Sequence, residues 1–416
     1  MLSYVDQERF QPHEARNIEE TGLSSGLLID LVLKHVFFEG QALLRTIASG
    51  TKLHPNLILS LYRHFQKEQL VETHGMRGDD YEISLTSKGR TMAEVALKKG
   101  QYAGAAPVTL RAYNDAVAKQ GIPLKPSFET LRAALSDLVL PDQVVRELGT
   151  ALVTGGAIML YGETGLGKTS IAERLHRIFE DYVYVPYAVE VGGHIITLYD
   201  PLVHSAIENE SRHLDPRWVL CRRPMVKVGG EMRAEMLDPH IDEVTRICSA
   251  PLQMKANNGI LLIDDFGRQR VSARELLNRW IVPLDRRKDI MSMWSGVSFE
   301  IPFELVVVFA TNLNLSDLAE EAFMRRLKHK IKMDAMPPEL FDELVRRVCR
   351  QKGLELEPGA EQYLRTACAK HSATGLRACY PEDITSTICG TATFEQRSAK
   401  MDQRSIDSAL QVYFVH

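Results

Sequence analysis

The segment 162–170, GETGLGKTS, combines three closely spaced glycines with a lysine and three hydroxyl residues. An apolar run, AIMLY, precedes it and a helical pattern follows. Glycines allow backbone N–H groups to turn inward around phosphate oxygens, and a helix N-terminus favours negative charge. The predicted phosphate-binding residues are Gly162, Glu163, Thr164, Gly165, Leu166, Gly167, Lys168, Thr169 and Ser170. Lys168 would attract the outer phosphates of a nucleotide such as ATP, and Thr169 would be a ligand for Mg²⁺.

Two adjacent carboxylates, Asp264 and Asp265, directly follow the apolar run 260–263. Such a pair is also common in solvated turns. A phosphate-binding loop, however, needs a second strand that ends in a carboxylate to hold Mg²⁺. We therefore predict that Asp264 is a metal ligand together with Thr169. Asp265 then stands where a base or a water-orienting carboxylate is needed.

Composition sets broad limits on the class of protein. The 416 residues are 45% hydrophobic and 25% charged, with a net charge of -4, which is ordinary for globular domains and gives no evidence of a nucleic-acid or membrane partner. The N-terminus is polar, unlike a signal peptide, and the longest apolar stretch is interrupted by Asp30, Lys34 and His35. The six cysteines form no CxxC pair, so we expect reduced thiols in a cytoplasmic protein.

The apolar runs AIMLY, YVYVPYAVEV, GILLID and ELVVVFA alternate with helical patterns. This alternation predicts an α/β fold in which a parallel sheet carries helices on both faces. From Pro337 onward only helical patterns remain, and we expect no strands there. The expected organisation is a polar tail over 1–22, a compact unit over 23–100, a linker over 101–127, a P-loop α/β domain over 128–335 and a helical domain over 336–416.

From about Phe128 onward the chain resembles an AAA+ ATPase. The stretch ELVVVFATNLN is similar to the sensor-1 strand of that family, with Asn312 as the sensor. The stretch EEAFMRRLKHKIKM resembles the segment that carries the arginine finger, which would be Arg325 or Arg326. The stretch ATGLRACYPEDI resembles the sensor-2 helix of a lid domain, with Arg377 as the sensor. The resemblance implies ATP hydrolysis with Mg²⁺ and an oligomeric ring, for which a hexamer is one option.

A hairpin expected near residues 289–302 precedes the sensor-1 strand. It resembles the pre-sensor-1 hairpin group of AAA+ proteins. Within that group, the chain is most similar to the MoxR-like ATPases. One departure is that the family usually has Glu where this chain has Asp265, and the shorter side chain puts its reach to a water in doubt. In the segment 217–240, Gly229 and Gly230 suggest a tight turn in an inserted loop or hairpin. Such an insertion would project into a ring pore or be an ordinary surface loop.

The N-terminal unit, with three helical patterns followed by two short strands, resembles a winged helix. Such a module often contacts DNA. The candidate contacts are Arg63, His64, Lys67, Arg77, Lys88 and Arg90. Acidic residues lie close to them in nearly equal number: Glu68, Glu72, Asp79, Asp80 and Glu82. This balance favours a protein-docking or oligomerisation role over DNA binding.

Three functions remain open at this point. The leading one is an oligomeric, chaperone-like remodelling ATPase whose N-terminal module selects a protein client. The second is a DNA-binding transcription regulator that is controlled by ATP. The third is an ATP-dependent scaffold with weak hydrolysis, which Asp265 suggests. We expect no membrane insertion under any of them.

Overall fold

The computed structural model describes residues 10–121, 125–208, 214–315, 325–372 and 375–414. Parts of the predicted tail, of the predicted linker and of the segments around the arginine-finger and sensor-2 candidates lie outside the described residues. The six cysteines are free. Among the described residues, no helix is long and apolar enough to cross a membrane.

Five helices and three strands form the N-terminal unit. They are α1 (Ile18–Thr21), α2 (Ser25–Glu39), β1 (Gln41–Leu43), α3 (Leu44–Thr51), α4 (Pro55–Lys67), β2 (Val71–Arg77), β3 (Asp80–Leu85) and α5 (Ser87–Lys99). The antiparallel sheet has the order β1-β3-β2, and the turn between β2 and β3 uses Gly78 at φ 71°. Apolar side chains spaced at helical intervals along α2, α3 and α4 face one common core with Ile83 of β3.

The middle of the chain contains most of the strands. Its elements are β4 (Val108–Thr109), α6 (Leu110–Lys119), α7 (Phe128–Ala134), α8 (Asp142–Thr154), β5 (Ile158–Tyr161), α9 (Lys168–Arg174), β6 (Tyr182–Pro186), β7 (Ala188–Val191), β8 (His194–Thr197), β9 (Trp218–Arg222), β10 (Met225–Val228), β11 (His240–Ile241), β12 (Cys248–Ser249), α10 (Leu252–Ala256), β13 (Ile260–Ile263), α11 (Ala273–Arg279), α12 (Ile281–Arg286), β14 (Lys288–Ser292), β15 (Ser298–Pro302), β16 (Val306–Thr311) and β17 (His329–Lys332).

A five-stranded parallel sheet with the order β10-β13-β16-β5-β17 is the centre of the molecule. Alternate residues of each inner strand enter two different cores. Leu160 and Leu262 pack with α7, α8 and α9 on one face. Met159 and Phe309 pack with α11 and Trp280 on the other. The structure therefore shows the expected α/β class with helices on both faces.

Two strand predictions were wrong. The run YVYVPYAVEV does not join the parallel sheet: β6 pairs antiparallel with β9, and β7 belongs to a second sheet of order β11-β12-β8-β7-β4. The second strand of the parallel sheet is instead β10, which lies inside the segment 217–240 that we expected to be a loop. The hairpin near 289–302 is present, because β14 pairs antiparallel with β15.

The segments predicted as a tail and a linker are packed against the body. Phe10 stacks edge-on against Trp218 with ring centroids 5.2 Å apart. In the expected linker, β4 pairs with β7, and α6 buries Tyr113 and Val117 in the core beneath the second sheet. The content of Gly, Ala and Pro that suggested a linker with one short helix includes packed residues, since Ala105 is 6% exposed and Ala106 is fully buried.

The C-terminal part is mainly helical. Its elements are α13 (Pro338–Lys352), β18 (Glu355–Leu356), α14 (Ala360–His371), α15 (Cys379–Phe394), β19 (Lys400–Met401) and α16 (Gln403–Tyr413). The helices share one apolar core. Two short strands, β18 and β19, pair in parallel here, so the expectation that strands are absent after Pro337 was wrong.

The packing of α6 yields a prediction about stability. Tyr113 is 2% exposed, and its hydroxyl accepts a hydrogen bond from Asn257 Nδ2 over 2.8 Å. We expect Tyr113→Ala to destabilise the chain by about 3–5 kcal/mol, as for other buried aromatic truncations. Arg111→Ala on the exposed side of α6 is the control. Urea unfolding of both variants measures this, and an unchanged midpoint for Tyr113→Ala would show that α6 is not part of the folded body.

Candidate functional site

The glycine-rich loop connects the carboxyl end of β5 to the first turn of α9. Gly162, Gly165 and Gly167 have φ values of 135°, 82° and 85°, a region that residues with a Cβ rarely adopt. A Cβ on Gly162 would lie 2.3 Å from the carbonyl oxygen of Met333, and one on Gly165 would lie 2.5 Å from Cys379 Sγ. The loop thus requires glycine for both conformation and space, and its backbone can line an anion site.

Lys168 lies against this loop, where its ammonium group donates hydrogen bonds to the carbonyl oxygens of Gly162 and Glu163, both at 2.8 Å. Its side chain is mostly buried. Burial lowers the pKa of Lys168, while the nearby carboxylates of Asp265 and Asp264 oppose that shift. The ammonium group is therefore held in the cradle by neutral carbonyls and a negative surrounding, and phosphate oxygens would be stronger partners.

Asp264 follows β13 and meets the start of α9. Its Oδ1 accepts hydrogen bonds from the Thr169 hydroxyl, at 2.9 Å, and from the backbone N–H of Asp265, at 3.1 Å. Its Oδ2 lies 3.4 Å from the ammonium group of Lys227 on β10. The hydroxyl and carboxylate that the sequence analysis assigned to one metal are thus in contact. Both are oxygen donors of the kind that Mg²⁺ prefers.

Asp265 is exposed and has a φ of 48°. A left-handed backbone is uncommon for residues other than glycine, and where it persists the surroundings hold it in place. The next residue explains how: Phe266 is fully buried, and its backbone N–H donates to the carbonyl oxygen of Ala310 on β16. This anchor turns the Asp265 side chain towards the cavity that Lys168 and Asp264 also line.

Asn312 directly follows β16, the strand between β13 and β5. Its amide nitrogen donates to the Thr164 hydroxyl over 3.0 Å. Its buried Oδ1 has no hydrogen-bond partner within the described part of the chain. An unsatisfied buried acceptor is costly, so a water or a ligand group at this place would relieve it.

The C-terminal part of the chain contacts the glycine-rich loop. The backbone N–H of Cys379 donates to the carbonyl oxygen of Gly165 over 3.0 Å. The guanidinium group of Arg377 lies 3.6 Å from the carboxylate of Glu163. Arg377 is therefore adjacent to the glycine-rich loop, in contact with its second residue.

Three of the predicted catalytic residues, Arg325, Arg326 and Arg377, do not line the cavity. Arg326 Nε donates to Asp285 over 3.0 Å within the same chain. Arg325 is exposed. The structure therefore does not bring Arg325 or Arg326 to the site of their own chain.

The cavity has a volume of about 670 Å³, within the range of small-molecule sites. One side is polar and consists of the glycine-rich loop with Asp264, Asp265 and Asn312. Apolar lining residues come from α8 and the segment before it, and from α13 and the segment before it: Leu138, Val139, Leu140, Val144, Met336 and Leu344. This arrangement can accept phosphates at one end and a flat apolar group at the other.

Lys227 was missed by the sequence analysis. It forms an ion pair with Glu173 of α9 at 2.8 Å and faces Asp264, and these carboxylates raise its pKa, the hydrogen bond to Glu173 most. The signal was present as a single lysine in the apolar run MVKV. It could not be used because that run was assigned to a loop.

Part of the chain matches the model of a protein family, and several solved structures are similar to the chain at low sequence identity. The model of a family described as a domain of unknown function, DUF8689, matches residues 337–412. No curated protein matches the chain. One similar solved structure is the RuvB Holliday junction branch migration motor of Thermotoga maritima, with 15% identity, 69% of this chain and 73% of that chain covered, and a TM-score of 0.39. Another is NtrX from Brucella abortus, with 13% identity, 76% and 60% coverage, and a TM-score of 0.40.

Proposed function

We propose that the chain is an AAA+ ATPase that binds ATP with Mg²⁺ and hydrolyses it. The observation that carries this proposal is the contact between Thr169 and Asp264 at the mouth of the glycine cradle. Two motifs almost a hundred residues apart meet at the place that phosphate chemistry needs. Lys168, Asp265 and Asn312 surround the same cavity.

The donor set fits Mg²⁺. Thr169 and Asp264 would hold the ion, which would neutralise charge on the outer phosphates. Lys168 would then exchange its bonds to the carbonyls of Gly162 and Glu163 for bonds to phosphate oxygens. Burial lowers the pKa of Lys168, and an anion in the cradle would oppose that shift and stabilise the ammonium form.

Asp265 and Asn312 would act on the water that attacks the terminal phosphate. The free Oδ1 of Asn312 would accept a hydrogen bond from this water. Asp265 would orient the water or accept its proton. Because Asp is shorter than the usual Glu, an ATP-dependent scaffold with slow hydrolysis is the second candidate. The left-handed backbone conformation of Asp265 would limit how far its carboxylate reaches.

Arg377 would report on the nucleotide from the helical lid. Its contact with Glu163, the second residue of the loop, supports this role. When phosphate charge enters the cradle, the guanidinium group would find a more negative partner than Glu163. The lid, taken as residues 336–416, would then move with respect to the loop.

Assembly into a ring would complete the site. A residue that acts in a neighbouring subunit must be free to leave its own chain, and this favours Arg325 over Arg326, which is paired with Asp285. Arg325 is exposed and lies in the segment just before β17 begins. We therefore assign Arg325 as the arginine finger of a homo-oligomer.

The N-terminal unit would be a winged-helix-like module that selects a protein client for a MoxR-like, chaperone-type machine. Two of its six candidate basic side chains lie near acids: Arg77 lies 3.8 Å from Glu82, and Lys88 lies 3.9 Å from Glu68. A strong DNA-binding face needs basic groups that are available to phosphates. These pairs support a protein-binding role over that of a DNA-binding regulator.

The proposed division of labour predicts that the two carboxylates fail differently. Asp264→Asn should weaken Mg²⁺-dependent ATP binding and hydrolysis together. Asp265→Asn should leave ATP bound and slow hydrolysis by about 10²–10⁴-fold, the usual contribution of a general base. Single-turnover hydrolysis and nucleotide titration measure both effects.

Asp265→Glu is the matched variant, because it keeps the charge and lengthens the side chain. A rate equal to or above that of the wild type supports the catalytic role with imperfect reach. If Asp265→Asn hydrolyses ATP as fast as the wild type, Asp265 is a turn residue and the proposed role is wrong.

The assembly proposal predicts that Arg325→Ala lowers the ATPase rate by on the order of 10³-fold or more at protein concentrations where rings form. Arg326→Ala is the control and should cost much less, since its ion pair is partly exposed. Mixing Arg325→Ala with wild type should reduce activity more than dilution does. A strictly linear dilution in a protein that remains monomeric with ATP would contradict the trans-acting finger.

A further inference from the structure

A second cavity, of about 420 Å³, lies between the N-terminal unit and the α/β body. Its walls come from α2 and α5, the segment after α5, the start of β8, the loop before β12 and the turn of the β14–β15 hairpin. It shares no lining residue with the nucleotide cavity. None of the roles proposed above uses it.

The charges that line this cavity are unbalanced. Lys34, Lys99 and Arg246 supply positive charge, and Asp30 is the acid among the lining residues. Asp30 is already engaged, because its carboxylate accepts a hydrogen bond from Lys99 at 3.0 Å. Three cationic side chains thus share one carboxylate among the lining residues, and the cavity carries an excess of positive charge.

Lys34 is the most informative of these residues. It is 6% exposed, and its ammonium group donates one hydrogen bond, to the carbonyl oxygen of Gly100 at 3.1 Å. An ammonium group has three N–H donors, and the described residues supply no further acceptor for it. Burial lowers the pKa of Lys34 to about 8, with Asp30 raising it and Lys99 lowering it further. Lys34 is thus mainly protonated at neutral pH and lacks acceptors.

An aromatic side chain stands beside these cations. Trp294, in the hairpin turn, is 46% exposed although it lines the cavity. His194 of β8 contacts it edge-on, with ring centroids 4.9 Å apart, and fixes one side of the indole. A half-exposed indole held at its edge is a surface on which a planar ring can stack.

We propose that this cavity binds a small anion that carries a planar ring, of the nucleoside monophosphate class. The phosphate would supply oxygen acceptors to Lys34 and Arg246, and the base would stack on Trp294. Because Lys34 belongs to the N-terminal unit and Arg246 and Trp294 belong to the α/β body, the ligand would hold the two together. On the proposed function, in which the N-terminal unit selects a client, ligand binding in this cavity would regulate that selection.

The experiment is a calorimetric titration of AMP into the full chain that carries Lys168→Ala, which disables the glycine-rich loop. AMP should bind to this variant. Adding Lys34→Met should weaken the affinity about ten-fold or more, since a buried charge-assisted hydrogen bond is lost. Adding Arg246→Gln, at an exposed position where folding is not at risk, should also weaken it. Lys98→Met is the matched control, because Lys98 is exposed on α5 and does not line the cavity.

Inorganic phosphate separates the two parts of the proposed ligand. Trp294→Ala should weaken AMP binding and leave the affinity for inorganic phosphate unchanged. The proposal is overturned if AMP does not bind to the Lys168→Ala chain. It is also overturned if Lys34→Met and Arg246→Gln both bind AMP as tightly as Lys98→Met does.

Discussion

The arrangement depends on one constraint, which is that the strands of the central sheet are parallel. Their carboxyl ends therefore lie at the same edge. The register pairs Tyr161 of β5 with Thr311 of β16, and Phe309 of β16 with Ile263 of β13. The residues that follow these three strands are Gly162, Asn312 and Asp264. Backbone hydrogen bonding between the strands thus brings together segments that are far apart in sequence.

Electrostatics at this edge accounts for the two adjacent carboxylates. Asp264 is held by the Thr169 hydroxyl and lies beside the ammonium group of Lys227. Asp265 lines the same cavity as Lys168, and its charge opposes the lowering of the lysine pKa. Positive and negative groups therefore lie close together around the glycine-rich loop, and phosphates with a divalent cation, as proposed, would pair with both.

The sequence predicted the inner strands of the sheet and failed at its edges for a physical reason. Inner parallel strands are covered on both faces and read as continuous apolar runs, as in ILLI of β13. The edge strands interrupt this pattern with charged residues, one lysine in MVKV of β10 and two in HKIK of β17, because part of an edge strand meets solvent. The alternating run YVYVP instead belongs to the antiparallel pair β6 and β9, which is the pattern that antiparallel strands favour.

The residues of the candidate site can be recognised in the sequence more readily than the packing around it. Lys168, Thr169 and Asp264 follow from chemistry that fixes residue types and spacing. Contacts such as that of Arg377 with Glu163, or of Lys34 with Gly100, join units whose relative position no local pattern encodes. Likewise, the burial of Tyr113 of α6 could not be predicted, because it lies in a stretch rich in Gly and Ala. Such small residues are common both in linkers and at tightly packed contacts.

The central claim is that the glycine-rich loop binds nucleotide phosphates through Lys168. Calorimetric titration of ATP with Mg²⁺ into wild type and Lys168→Ala tests it most directly, with circular dichroism to compare their folding. We predict that wild type binds and that Lys168→Ala loses measurable binding while its fold and thermal stability are retained, since the side chain lies at the mouth of the cradle. Equal affinity of the two folded proteins for ATP would contradict the account.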